Sequence, residues 1–190
     1  MQIGTCPTIY HPLPDVIKEK KILFCGNRSR KFIDSGKRDT LMLRLQGHFR
    51  DKFEIYGSQW GQLAQLTVKS PVYHELFNKL LNSVQITVGI NAVNDLDFYF
   101  SERQLTHMAS GTLHICHYVP GLETYFENKK HCVWFNTVDE CVDLCIYYLE
   151  HPDECNEIGK QGAEIVLKEH TWDCRFKWLL ERVKQIKGEK

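Results

Sequence analysis

A chain of 190 residues is long enough for one well-cored domain and too short for two large ones. Lys and Arg number 24 and Asp and Glu also 24, so no basic excess points to nucleic acid, and any phosphate binding must come from local geometry. Hydrophobic content of 43% and charged content of 25% fit an ordinary globule, and the longest uncharged stretch, 104–122, contains glycine, proline and three histidines, which argues against a membrane span.

The first twenty residues carry Pro7, Pro12 and Pro14 and read as an irregular lead-in, without the basic-then-apolar order of a signal peptide. KILFCG (21–26) is an apolar run ending in glycine, a buried strand, followed by a polar basic loop, NRSRKFIDSGKR. Leu41, Leu45 and Phe49 recur at helical spacing in 39–49. KFEIYG (52–57) is a second strand, and SQWGQ a loop. Ser70 before Pro71 predicts a helix entry for 70–83, and VQITVGI (84–90) is a third strand.

Ser101 with Gln104 three positions on has the form of a capping box, so a short helix is expected over 102–110, closed by Gly111 and leading to a strand at 112–118. CVWFN (132–136) is a fifth strand. Thr137 with Glu140 predicts another capping box opening a helix that stops before Pro152. Two further helices follow, and in the last Trp172, Phe176, Leu179, Leu180 and Val183 share a face. Five alternations of apolar strand and helix predict an α/β, Rossmann-like parallel sheet of about five strands, helices on both faces and a C-terminal helical extension. The expected organisation is a lead-in at 1–20, a sheet domain at 21–170, and a helix at 171–190 that packs on the domain or towards another. Ligands in such sheets sit beyond the carboxyl ends of the strands, which directs attention to the loops after residues 25, 56, 90 and 118.

The helix expected to start at Ser101 follows one of those loops. Its unpaired N–H groups and dipole make it a candidate anion site, to which Arg103 adds formal charge. The competing reading is a helix end that binds nothing, with Arg103 paired to a surface acid.

SERQLTHMASG (101–111) resembles the S-x-R-x-(F/L)-E-x-x-A-x-G signature of group 1 glycosyltransferases, in the C-terminal half of the GT-B fold, with a flavour of the subgroup related to spore maturation. KILFCGN, FEIYGSQWG, ITVGIN and the closing helices are similar to that family's pieces in the same order, over about 21–182. The resemblance implies a domain that binds a nucleoside-diphosphate sugar as substrate, with no cofactor and no required metal. It puts the diphosphate on Gly26 and Asn27 and on Ser101, Glu102 and Arg103. Asn91 ends the third strand, Tyr56, Gly57 and Trp60 lie near the base, and Arg28 and Arg38 are favoured among the basic loop residues Arg28, Arg30, Lys31, Lys37 and Arg38. Arg103 and Arg28 would stabilise the departing diphosphate. One departure stands out: the acid that commonly holds the ribose hydroxyls is Thr106 here, and the upstream acid falls at Phe98. Glu102, Asp95 and Asp97 are the alternatives. The acceptor and general base would come from an N-terminal domain or partner subunit. A non-catalytic nucleotide- or glycan-binding module, and a protein using only the fold for helix-surface contacts, are the rival classes.

Other clusters read as structural. His114 and Cys116 share a strand face and His117 points away, without zinc spacing. Cys141 and Cys145 fall within one apolar stripe. Thr171 caps the last helix while His170 packs. None of the eight cysteines forms a C-x-x-C pair and most lie in apolar stretches, which suggests a reducing, cytoplasmic setting.

Overall fold

The computed structural model describes residues 3–188. Strands β1 (Glu19–Cys25), β2 (Phe53–Tyr56), β3 (Val68–Lys69), β4 (Val84–Gly89), β5 (Leu113–His117) and β6 (Val133–Phe135) form one six-stranded sheet. The order is β3-β2-β1-β4-β5-β6, and every pairing is parallel. This is the Rossmann-like arrangement, in which the chain winds outwards in both directions from a central pair. The sixth strand is β3, two residues that extend the ladder beyond β2 in a stretch whose sequence carries no apolar run.

Helices α1 (Ser35–Phe49), α2 (His74–Asn82), α3 (Glu102–Ala109), α4 (Val138–Glu150), α5 (Pro152–Glu169) and α6 (Trp172–Lys187) complete the fold. Successive residues of β1 point to opposite faces, as the pleat requires. Ile22 and Phe24 join a core with Leu41, Leu45 and Tyr148 from α1 and α4, whereas Leu23 and Cys25 meet Leu81 of α2. Cys141 and Cys145 are fully buried in the first of these cores.

The helix entry expected at Ser70 and Pro71 lies elsewhere. Lys69 is still paired in β3, proline favours an extended residue before it, and the chain takes no regular structure from Ser70 to an extended Tyr73 before α2 begins at His74. The cap expected at Thr137 forms, its Oγ1 accepting from the Glu140 N–H at 3.2 Å, while the Glu140 carboxylate reaches one residue further back than a capping box would and accepts from the Asn136 N–H at 2.8 Å. Gly111 closes α3 with φ 75°, a conformation side chains disfavour.

The lead-in is irregular but docked. The Thr5 N–H donates to the His170 carbonyl and the Trp172 N–H to the Thr5 carbonyl, both at 3.0 Å. Asn82 holds Leu13 and His11, and Tyr10 meets Phe77 edge-on. Thr171 caps α6, and His170 packs against Phe126 while bonding Arg175. No residue of α6 is buried; Phe176 and Leu180 are 53% and 61% exposed.

Candidate functional site

β1 and β4 lie side by side, and the chain leaves their carboxyl ends in opposite directions. A crevice opens at such a switch point. Here it is a cleft of about 310 Å³ that collects Cys25, Gly26 and Asn27 after β1, Tyr56 and Gly57 after β2, and Glu102, Arg103 and Thr106 of α3. Tyr10 from the lead-in and the irregular 71–73 segment with His74 and Phe77 make the opposite wall.

The two glycine turns are in contact. The Gly26 N–H donates to the Tyr56 carbonyl at 2.9 Å, and a Cβ on Gly57 would collide with the Gly26 carbonyl oxygen. That oxygen accepts from the Trp60 indole N–H at 2.9 Å. Trp60 is therefore buried beneath the turn, edge-on to Phe24, and not in the cleft where a base would sit. Gly26 faces Arg103: a Cβ there would come within 2.8 Å of Nη2.

Arg103 lies over the Phe24 ring at 5.4 Å and donates weakly to the Ile90 carbonyl at 3.4 Å. Arg38, on α1, donates to that same carbonyl and to the carbonyl of Asn27, each at 3.1 Å, and its buried Nε has no partner. Among the described residues neither guanidinium has an ion pair. Burial and then the charge of Arg38 pull Arg103 down to about 10, and burial lowers Arg38. Two cations thus converge on the ends of β1 and β4 with, among the described residues, no carboxylate at ion-pair distance.

The capping box expected at Ser101 does not form. The Ser101 side chain makes no cap bond, and Gln104 is turned into the core against the Met108 sulfur at 3.3 Å. The first turn of α3 therefore keeps N–H groups that no side chain caps, beside Arg103. Asn91 lies underneath rather than in the cleft: its Oδ1 accepts from the Ser101 N–H at 3.1 Å. Asn94 links Asn91 to Asp34, whose other oxygen pairs with Lys37 at 2.9 Å. Burial pushes the Asp34 carboxyl up, but bonds from Lys37 and Asn94 outweigh it and leave its pKa below the ordinary value.

Of the expected residues, the cleft gathers Gly26, Asn27, Tyr56, Gly57, Glu102, Arg103 and Thr106. Ser101 and Asn91 position the start of α3, and Arg38 ties the two loops from behind. Arg28 is not in the cleft: Asp39 takes its guanidinium at 2.6–3.1 Å and Gln62 at 2.9 Å, on the far side of the Gly26 turn. Thr106 donates to the Arg103 carbonyl at 3.2 Å, and Glu102 is exposed and, among the described residues, has no side-chain hydrogen bond or ion pair. Sequence reasoning missed Tyr10, Tyr73 and Phe77, whose aromatic character was the available signal. His114, Cys116 and His117 share no centre: His114 bonds Thr87 at 2.9 Å and His117 the Tyr118 carbonyl. Among the described residues no group of three His, Cys, Asp or Glu is placed to hold a metal, and no helix is long and apolar enough to cross a membrane.

A family model described as glycosyl transferase-like matches residues 28–181. The chain belongs to the glycosyl transferase-like family. Among curated proteins none matches this glycosyl transferase-like chain. Among solved structures, the C-terminal domain of a group 1 glycosyl transferase, LpcC from Francisella tularensis, superposes with TM-score 0.64 at 10% identity, covering 89% of this chain and 100% of that one. Sucrose-phosphate synthase from Thermosynechococcus elongatus gives 0.74 at 16% identity, over 98% of this chain and 52% of the synthase. HepE from Anabaena, solved with UDP-glucose, gives 0.71 at 8% identity, over 96% and 56%. At such identities the likeness is one of fold: that of a GT-B C-terminal domain. The glycosyl transferase-like chain spans about half the length of the latter two proteins.

Proposed function

We propose that this chain binds a nucleoside-diphosphate sugar in the cleft between β1 and β4 and serves as the donor half of a glycosyl transfer. The observation that carries this reading is the convergence of Arg38 and Arg103, both without a carboxylate, beside the uncapped start of α3. Breaking the bond between sugar and diphosphate leaves negative charge on the diphosphate. Fixed amides and guanidinium groups lower the barrier by being aimed where that charge grows. Arg103 faces the cleft and takes the diphosphate directly, whereas Arg38 adds charge from behind and holds the loops. With that much positive charge in place, the reading needs no metal.

Within this reading Gly26 and Gly57 let the donor approach backbone, and Glu102 takes over from Thr106 the ribose hydroxyls. The aromatic wall of Tyr10, Tyr73 and Phe77 is the natural place for the base. HepE was solved with UDP-glucose and the pneumococcal transferase GtfA with UDP and GlcNAc, so UDP is the first donor nucleotide to test. The acceptor site and general base would come from a second domain or subunit, in a reducing compartment suited to eight free thiols. The order of the sequence pieces favours the spore-maturation-related branch.

Calorimetric titration with UDP, GDP and their sugars tests the reading. Binding of one diphosphate, lost in Arg103→Ala, supports it; absence of binding for all of them overturns it. The second reading, a binding module without transfer, is favoured by Thr106 at the acid's place. It predicts the same titration with no sugar transfer when the acceptor half is supplied.

A further inference from the structure

The root of α6 is held firmly. Thr171 caps it, and Arg175 donates to the carbonyls of Ile3 and Glu169 at 3.1 and 3.2 Å and to His170 Nδ1 at 2.6 Å. From Phe176 to Lys187 every residue is exposed, apolar and polar alike, so the rest of the helix runs clear of the sheet domain. We propose that α6 lies in the surface of an anionic membrane, apolar side down, and anchors the chain there.

Trp172, Phe176, Leu179, Val183 and Ile186 recur at alternating steps of four and three, which places them in one stripe along the helix. Leu180 lies beside that stripe, one turn on from Phe176, and widens it beyond the seam that a single partner helix covers. Ile186 is 74% exposed, and Phe176 and Leu180 are more than half exposed. Side chains of this size leave water for the boundary between headgroups and acyl chains, and tryptophan suits that boundary with its apolar ring and polar N–H. The 16 residues make a helix about 24 Å long, shorter than the ~30 Å hydrocarbon layer, and its cations oppose a crossing. It therefore lies along the surface.

The charges match an anionic surface. α6 carries five basic residues against two acids. Arg175 and Arg182 border the stripe beside Leu179 and Ile186, and Lys177 and Lys184 border it beside Leu180. Glu181 falls on the side opposite the stripe, and Asp173 lies in the first turn, where the helix dipole favours an acid. Among the described residues Lys177, Arg182, Lys184 and Lys187 have no ion pair. Anionic headgroups meet both borders at once, each such cation adding roughly fivefold to the affinity. A second copy of the chain fits poorly, because stripe against stripe, in either direction, sets one copy's arginine border beside basic residues of the other. A single acidic helix answers the borders but not the breadth of the stripe.

The test is flotation of the full chain with vesicles of phosphatidylglycerol and phosphatidylcholine in equal parts, with phosphatidylcholine alone as the neutral control. Binding to the anionic vesicles is expected, at least about tenfold weaker to the neutral ones and about tenfold weaker in Arg182→Gln/Lys184→Gln. It should be lost in Phe176→Gln/Leu180→Gln/Ile186→Gln. Brominated acyl chains should quench tryptophan emission in the parent and less in Trp172→Phe. Equal binding to both compositions, unchanged affinity in the charge variant, full binding by the apolar variant, or quenching indifferent to Trp172 overturns the proposal. The charge variant alters exposed residues only, so it decides the matter even where the apolar variant misfolds. Absence of vesicle binding also overturns it: a dimer in sedimentation then gives the stripe to a second copy, and a monomer gives it to a partner protein.

Discussion

Arg38 and Arg103 donate to one acceptor, the carbonyl oxygen of Ile90, at 3.1 and 3.4 Å. Like charges are thus held together at the end of β4, and after burial the charge of Arg38 loosens Arg103's hold on its proton. A bound anion relieves that repulsion. Arg103→Ala is expected to weaken UDP binding roughly ten- to hundredfold, the loss of one charge-assisted contact. The melting temperature should stay the same or rise. Calorimetry and a thermal melt on the same sample check both.

Gly26 and Gly57 separate function from stability. A methyl at Gly57 meets the backbone carbonyl of Gly26, which cannot yield without moving β1, so Gly57→Ala should cost about 1–3 kcal/mol in urea unfolding. A methyl at Gly26 meets the end of the Arg103 side chain, which can swing aside. Gly26→Ala should therefore unfold nearly as the parent does yet bind UDP more weakly. Equal loss of stability in both variants would contradict this division.

Glu102 is exposed beside the cleft, and its charge, after burial, raises the Tyr10 hydroxyl's pKa. Glu102→Gln should lower affinity for UDP by about 1–2 kcal/mol and leave inorganic pyrophosphate unaffected, since only the nucleotide has a ribose. The same variant should shrink the preference for UDP over 2′-deoxy-UDP. A parallel loss for pyrophosphate would place Glu102 elsewhere.

Three buried histidines make stability depend on pH. Burial and then Arg103 bring His114 down to about 3, burial and then Arg175 bring His170 to about 4, and His107, with neither ring nitrogen bonded, lies well below 6.5. The folded state keeps them neutral while the unfolded chain protonates them. Their contribution is complete above about pH 6.5 and is lost as pH falls towards 4, each histidine giving up to about 1.4 kcal/mol per pH unit. Urea midpoints at pH 7.5, 6 and 5 should drop in that order, and flat midpoints would refute the assignment.

Phe176, Leu180 and Ile186 of α6 are exposed, so replacing them with Gln should change unfolding stability by under about 1 kcal/mol and improve solubility. Chemical denaturation of the triple variant is the check.

The strands were readable because a parallel sheet covered on both faces needs continuous apolar runs, and 21–26 and 84–90 supply them. β3 was not, since two edge residues, Val68 and Lys69, are ordered by the neighbouring ladder rather than by their own pattern. That Gly26, Gly57 and Arg103 meet in one cleft was legible from their places just beyond the carboxyl ends of the strands. Arg28 was misplaced because its direction is set by Asp39 and by Gln62, 34 positions away. The Ser101 box had the right letters, but burial beside Met108 claimed Gln104.

The ladder contact of Thr5 with Thr171 makes residues 5–10 a leash on the root of α6. Tyr10 sits on that leash and also walls the cleft. A swing of α6 would therefore tug directly on one wall of the cleft, so that the helix and the cleft's width are mechanically linked.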